Sequence, residues 1–216
     1  MLNLLIADDH PLYRDALRGA LSLSLPDLNW IEASDLQQTV DILQTNQDID
    51  LLLLDLNMPG SCDLFGLIHI RKLFPDLPIA VVSGVDDRQV VAKIINIGAM
   101  GFVPKTTSAG QIAEAVVAML AGDIWLPDNY GTELDPIDPN FSVLTDKVAS
   151  LTPAQYKVLC YLRDGLLNKQ IAYNLDIATA TVKAHITAMF RKLGINNRTQ
   201  AVLIASQLEL QLPPEH

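Results

Sequence analysis

Five polar side chains stand where apolar runs of the chain stop. Asp8 and Asp9 follow Leu2–Ala7, Asp55 follows Leu51–Leu54, Ser83 closes Pro78–Ser83, and Lys105 follows Gly101–Pro104. Three carboxylates, a hydroxyl and an ammonium suit one kind of chemistry if the fold gathers them. Crowded carboxylates repel one another unless a cation neutralises them, and hard oxygen ligands suit Mg2+ or Mn2+. Such an ion could bring a phosphoryl group to Asp55, with Lys105 and Ser83 holding its oxygens. Taken alone, Asp55 has a plainer reading as a turn former ahead of Pro59 and Gly60. Whether the other four join it decides between the two.

The elements that must gather them are legible. Over residues 1–121, apolar strand-like runs alternate with amphipathic segments, the pattern of βαβ units. Strands are expected at Leu2–Ala7, Trp30–Ala33, the run ending at Asp55, Pro78–Ser83 and Gly101–Pro104. Helices are expected from Pro11 to about Leu23, over Asp35–Gln47, from about Leu64 to Phe74, over Asp86–Ile97, and over Ala109–Ala121 behind the N-cap Ser108. Leu12, Ala16, Leu17, Ala20 and Leu21 read as the inner face of the first helix. Right-handed crossovers then give a doubly wound, five-stranded parallel sheet of the flavodoxin-like order 2-1-3-4-5. That order puts Pro104, which has no N–H to donate, on an edge strand. It also sets the first and third strands side by side, so Asp8, Asp9 and Asp55 meet at the carboxyl edge, where ligands of open α/β sheets bind.

The net charge of −10 conceals a division. Residues 1–146 carry 7 Lys/Arg and 21 Asp/Glu, a net −14, whereas residues 147–216 carry 8 and 4, a net +4. Opposite signs point to two domains with different partners, the basic one being the candidate for nucleic acid. Turn formers collect between them, among them Pro127, Asp128, Asn129, Gly131, Pro136 and Pro139. This reads as a linker over 122–148, between domains at 1–121 and 149–212, with Trp125 and Leu126 docking on the first. Cys62 and Cys160 show neither metal-ligand nor disulfide spacing. No apolar run approaches the roughly 18 residues of a membrane span, and the N-terminus lacks a signal peptide's basic lead. The expectation is a soluble, cytoplasmic protein with no membrane partner.

From residue 151 the chain reads as helices only. Thr152-Pro153-Ala154-Gln155 is a capping box opening a helix to about Asp164, and Asn168 caps a short helix through Leu175. Thr179 caps a longer one from Ala180 to Leu193, stopped by Gly194; a second capping box, Asn197-Arg198-Thr199-Gln200, opens the last, to about Leu208. Two short helices across a tight turn, the second exposing basic residues, are a helix-turn-helix signature, and double-stranded DNA is the expected partner. Ile171, Ala172, Leu175, Ile177, Val182, Ile186, Met189 and Phe190 would form the core. Lys183 and Ala184 are placed to reach base edges, with Thr187 exposed beside them; Thr179, Thr181, Asn168, Lys169, Arg191 and Lys192 are placed for phosphates.

Ala7-Asp8-Asp9-His10, Leu54-Asp55-Leu56-Asn57-Met58-Pro59-Gly60, Val82-Ser83-Gly84 and Gly101-Phe102-Val103-Pro104-Lys105 together resemble the receiver domain of two-component response regulators, over residues 2–121. The resemblance implies that Asp55 accepts a phosphoryl group from a sensor histidine kinase. It implies that Asp8, Asp9, Asp55 and the backbone carbonyl of Asn57 hold Mg2+, and that Ser83 and Phe102 form a switch pair. The chain departs from the family at Thr106, where a proline in a cis bond is common, at Asp63, where glycine is usual, and at Phe65, where a polar residue is usual. Aspartate tolerates positive φ better than most residues, which lets the loop survive. His10 precedes Pro11 at a helix start, as in similar regulators, and reads as structural, because a metal-binding histidine comes with clustered ligands.

The tail, through Leu151-Thr152-Pro153, Asn168-Lys169-Gln170-Ile171-Ala172, Thr181-Val182-Lys183-Ala184-His185 and Lys192-Leu193-Gly194-Ile195, resembles LuxR/NarL-type DNA-binding domains. Thr187 stands where a basic residue is common, which predicts a shallower salt dependence. The resemblance implies a dimer interface on the last helix, whose Ala201, Val202, Ile204 and Ala205 exceed what so small a domain needs; packing onto its own core is the alternative. The whole reads as a bacterial two-component transcriptional regulator, homodimeric when active. Phosphorylation would either uncover the recognition helix or drive receiver dimerisation. Two competitors are a Mg2+-dependent phosphohydrolase with Asp55 as nucleophile, for which a cap domain is missing, and a regulator worked by protein contacts alone.

Overall fold

The computed structural model describes residues 2–22, 24–46, 48–85, 87–130 and 138–208. Strands β1 (Leu2–Ala7), β2 (Leu28–Ala33), β3 (Leu51–Leu54), β4 (Ile79–Ser83) and β5 (Gly101–Pro104) form one parallel sheet in the order β2-β1-β3-β4-β5. Between and after them run α1 (Pro11–Ser22), α2 (Leu36–Thr45), α3 (Phe65–Leu73), α4 (Arg88–Asn96) and α5 (Ala109–Leu120). Alternate strand residues fill the two faces. Leu4, Ile6, Leu51, Leu53, Ala80, Val82 and Val103 pack with Leu17 and Leu21 of α1 and with Ile112 and Val116 of α5. Leu5, Leu52, Leu54, Val81 and Phe102 are buried as fully. An apolar run with no polar alternation is what a strand covered on both faces requires.

The inner stripe of α1 differs from the expected one. Leu12 is 84% exposed, whereas Tyr13 packs against the core with Leu17 and Leu21. Tyr13, Leu17 and Leu21 follow one another at i, i+4, i+8 and so share a face; Leu12 is about 100° away from it.

The segment read as a linker holds more structure than its turn formers imply. Trp125 makes a parallel bridge to Gly101, its N–H donating to the Met100 carbonyl at 3.0 Å and its carbonyl accepting the Phe102 N–H at 3.2 Å. A Cβ at residue 101 would strike the Met119 side chain and stand 3.1 Å from the Trp125 carbonyl, so this close approach needs glycine. A single 3-10 turn, Asp128–Tyr130, follows. Gly131 and Pro136 lie outside the described residues. Phe141–Ala149 is then a helix, α6, burying Phe141, Leu144 and Val148 at i, i+3, i+7. Its short apolar pattern was masked in the sequence by the run Pro136, Asp138, Pro139, Asn140 just ahead of it.

The chain divides into two compact units between Pro139 and Asn140, which gives α6 to the second. That unit adds α7 (Pro153–Arg163), α8 (Asn168–Asn174), α9 (Thr179–Leu193) and α10 (Arg198–Leu208). Ile171, Ala172, Val182 and Met189 are buried in its core as expected; Leu175, Ile177, Ile186 and Phe190 are only half-buried. On α10, Ala201, Ala205 and Leu208 are buried as the helix packs against α7, while Val202 and Ile204 are half-buried and Leu203 is exposed. Much of the apolar content of α10 therefore serves the domain's own core.

Capping follows the sequence in part. The Thr152–Gln155 box is formed at both ends, by bonds of 3.1 and 3.3 Å. Asn168 and Thr179 are first helical residues rather than caps: the N-caps are Leu167 and Ala178, which offer no side-chain acceptor. Gln170 compensates at α8, its Oε1 accepting the Leu167 N–H at 2.7 Å. At α10 the Gln200 N–H donates to Asn197 Oδ1 at 2.9 Å, while Gln200 Oε1 accepts from the Asn196 N–H at 3.1 Å. Gly194, at φ 70°, closes α9 in the left-handed conformation. No helix among the described residues is long and apolar enough to cross a membrane.

Candidate functional site

The parallel ladder fixes the acidic cluster. Ala7 pairs with Leu54 across β1 and β3, and the Asp55 N–H donates to the Ala7 carbonyl at 2.8 Å, so the residues that follow the two strands emerge side by side. At the next strand end, the Lys105 N–H donates to the Ser83 carbonyl at 2.9 Å. Asp8 and Asp55 are each 2% exposed. Lys105 Nζ lies 2.7 Å from Asp8 Oδ2 and 3.0 Å from Asp55 Oδ2. These are ion-pair distances, yet both oxygens are buried without a well-directed hydrogen bond. Each carboxylate oxygen has more than one lone pair, so an acid paired with Lys105 can still accept from another cation.

Burial pushes the Asp55 carboxyl above the usual range, with Asp8 adding to the rise, while Lys105 and the backbone N–H of Asn57 pull it down. For Lys105, burial works to lower the ammonium, but its bonds and charge contacts with Asp8 and Asp55 outweigh that and raise it. A carboxylate that burial would neutralise is thereby held beside a cation that stays charged.

Tyr13 is a member of the site that the sequence reading missed. Lys105 Nζ sits 4.9 Å from the centre of its ring, a cation–π contact. Its hydroxyl is buried without a partner, and burial first, then Asp8 and Asp55, pushes its pKa up to about 12. The phenol therefore stays neutral. The available signal was its spacing from Leu17 and Leu21. A second brace comes from Arg14, which donates through Nη1 to the Asp8 carbonyl at 2.7 Å and through Nε to Glu32 Oε2 at 2.7 Å.

Ser83 is fully buried, and its hydroxyl oxygen accepts the Val85 N–H at 3.3 Å, so it is engaged in its own loop. Phe102 is fully buried and meets Tyr130 edge-on, ring centres 5.8 Å apart. Beyond β3, Asp63 adopts φ 54° where glycine was the expected residue, and Ser61 Oγ donates to the Leu56 carbonyl at 3.0 Å. Phe65 is buried at the start of α3, stacked on His69 at 5.3 Å between ring centres. Among the described residues all peptide bonds are trans, that before Thr106 included.

The second unit presents a separate face. Lys183, Ala184, Thr187, Thr181, Arg191 and Lys169 are exposed, and Asn168 and Thr179 half-buried, all on α8 and α9. The Thr187 hydroxyl donates back to the Lys183 carbonyl at 3.0 Å. Lys192 departs from the expected set. Its ammonium turns inward, donating to the Ser150 carbonyl at 2.6 Å and to Oε1 of the buried Gln155 at 2.8 Å. Its position after Arg191 resembled a basic pair, but α9 rotates the two side chains about 100° apart.

Comparison with known proteins adds three findings. The response regulator receiver domain family matches residues 4–117, and the luxR family of bacterial regulatory proteins matches residues 149–205. The chain is 41% identical to the glycerol metabolism activator of Pseudomonas putida, over 97% of each. It is 31% identical to the nitrate/nitrite response regulator protein NarL of Escherichia coli strain K12, over 94% of each. Among solved structures, RcsB of Salmonella enterica serovar Typhimurium, bound to a promoter in the presence of phosphomimetic BeF3-, is similar at TM-score 0.55 and 25% identity, over 95% of this chain and 98% of that one.

Proposed function

Because the chain belongs to the response regulators that join a receiver domain to a luxR-family regulatory domain, we propose that Asp55 is its phosphoacceptor and that phosphorylation from a sensor histidine kinase controls binding of the tail domain to double-stranded DNA. The family is one of transcription regulators rather than enzymes. The observation that carries the proposal is the placement of Lys105 Nζ 3.0 Å from Asp55 Oδ2 and 2.7 Å from Asp8 Oδ2, at the carboxyl ends of β5, β3 and β1.

In this reading the ionised Asp55 attacks the phosphorus of a kinase phosphohistidine; a P–O bond forms, the P–N bond breaks, and the imidazole leaves with a proton. Lys105 keeps Asp55 ionised before transfer and then follows the phosphoryl oxygens. Asp8, Asp9, Asp55 and the carbonyl of Asn57 hold Mg2+ or Mn2+, a role supported by the all-oxygen donor set and by the buried Asp8 and Asp55 oxygens that lack directed hydrogen bonds. When bound, the ion neutralises charge on the phosphoryl oxygens. Ser83 gives up its Val85 contact to reach the phosphoryl group, and Phe102 moves with it as the switch pair.

On the tail domain, Lys183 and Ala184 read base edges with Thr187 beside them, and Thr179, Thr181, Asn168, Lys169 and Arg191 set register on phosphates. The RcsB likeness, bound to a promoter, supports DNA as the partner. A two-fold site calls for a homodimer when active. A cytoplasmic location fits a DNA-binding protein. The name of the 41% identical relative supports activation as the direction of control. Footprinting of the full chain on DNA fragments that it retains from its own genome, with and without acetyl phosphate, tests the switch. Protection that strengthens with the phosphodonor and not in Asp55→Asn is expected; identical protection in both states overturns it.

A further inference from the structure

His10 reads as structural from sequence because no ligand cluster stands beside it there; the fold supplies that cluster. His10 Nδ1 lies 2.7 Å from Asp9 Oδ1 and 3.2 Å from Asp8 Oδ1. One donor atom each from Asp8, Asp9, His10 and Asp55 lie within 4.8 Å of one another. An octahedral ion with bonds of about 2.1 Å separates opposite ligands by about 4.2 Å, so these four donors need to close by only a few tenths of an ångström. We propose that His10 is a nitrogen ligand of the ion held by Asp8, Asp9 and Asp55, and that it shifts the site's preference from Mg2+ toward Mn2+ and later divalent transition metals. The proposal rests on the reading above that these acids hold a divalent ion.

The local structure prepares the imidazole for this. The His10 N–H donates to Asp8 Oδ1 at 2.8 Å, which ties its backbone to one of the ligands. Pro11 confines the residue before it to extended backbone. The ring itself is 66% exposed and can turn from Asp9 toward the ion. Coordination through Nδ1 uses the tautomer with its proton on Nε2. Metal preference then follows from softness. Carboxylates suit Mg2+ and Mn2+ alike, whereas imidazole suits transition metals, and Mg2+ gives up its water reluctantly. A nitrogen donor added to these oxygens therefore adds more to Mn2+ binding than to Mg2+ binding.

Mn2+ provides the test, because electron spin echo modulation reports a directly bonded nitrogen. The full chain loaded with Mn2+ is expected to show one coupled 14N that vanishes in His10→Gln, a substitution at an exposed side chain that keeps the backbone bond to Asp8. The same variant is expected to lose Mn2+ affinity by about tenfold and Mg2+ affinity by less, both read by calorimetry. Mn2+ bound by the wild type with no 14N coupling, or coupling that survives in His10→Gln, overturns the proposal and leaves the metal-site reading intact. Mn2+ binding that is absent, or unaffected by Asp8→Asn, overturns the metal-site reading and the proposal with it.

Discussion

The ring of Phe102 meets the ring of Tyr130 edge-on, at 77° and 5.8 Å between centres, with both side chains sealed from water. This contact joins the aromatic residue of the proposed switch pair to a turn that lies outside the five βα units. The same segment is held by the Trp125 bonds to Met100 and Phe102 and by Arg88, whose Nη1 donates to the Asn129 carbonyl at 3.2 Å. A close-packed ring pair cannot move on one side alone without opening a void. Movement of Phe102 must therefore reach residues 125–130.

Replacing Tyr130 by Leu removes the edge-to-face pair and leaves a partial cavity, at a cost of about 2 kcal/mol to the first unit. Urea denaturation reads the loss. Hydrogen exchange at the amides of Trp125 and Phe102 quickens in the variant, and in the wild type it quickens on phosphorylation. Unchanged exchange on phosphorylation contradicts the proposed route through Phe102.

The raised pKa of Asp55 sets a pH dependence of stability. A carboxyl whose folded pKa lies above its unfolded value favours folding most below the unfolded pKa and loses that advantage as pH rises through the folded one. At neutral pH the ionised, buried Asp55 therefore weighs against folding, burial being the main cause. Asp55→Asn removes the charge without changing shape. It raises the Tm of the first unit at neutral pH, by a gain on the order of 1 kcal/mol, and the gain shrinks as pH falls through the carboxylate range. A gain that grows on acidification contradicts the assignment.

The proposed DNA reading assigns the lysines of the tail domain different roles. Lys183→Ala is expected to cost about 1–3 kcal/mol of specific affinity and relax base preference, whereas Lys169→Ala weakens all sequences alike and lowers the salt slope by about 1. Lys192→Met leaves the salt slope unchanged. It instead lowers the unfolding free energy of the second unit by about 1 kcal/mol, because the Ser150 carbonyl and Gln155 Oε1 lose their shared donor while Oε1 keeps the Thr152 N–H. Binding isotherms over a salt series, with denaturation of each variant, distinguish the three.

The strand ends were readable because each apolar run stops at one polar residue, and strand order then followed from crossover handedness. That was enough to bring Asp8, Asp55 and Lys105 together. What the sequence hid was tertiary in origin. Tyr13 joins the site only because α1 turns its face toward Lys105, and Lys192 turns inward because Gln155 and Ser150 lie within its reach. The helix α6 was obscured by the prolines before it, and the Trp125 bridge depends on a glycine at 101 that leaves room for a backbone. His10 shows the same limit from the other side: three neighbouring carboxylates become a cluster only when β1 and β3 pair.

The central claim is that Asp55, of all the acids in this pocket, takes the phosphoryl group. Peptide mass mapping of the full chain after incubation with acetyl phosphate and Mg2+ tests it directly. The account predicts the added mass of one phosphoryl group on the peptide containing Asp55, lost in Asp55→Asn and much reduced in Lys105→Ala. Phosphorylation that persists in Asp55→Asn, or that maps to Asp8 or Asp9 in the wild type, would contradict it.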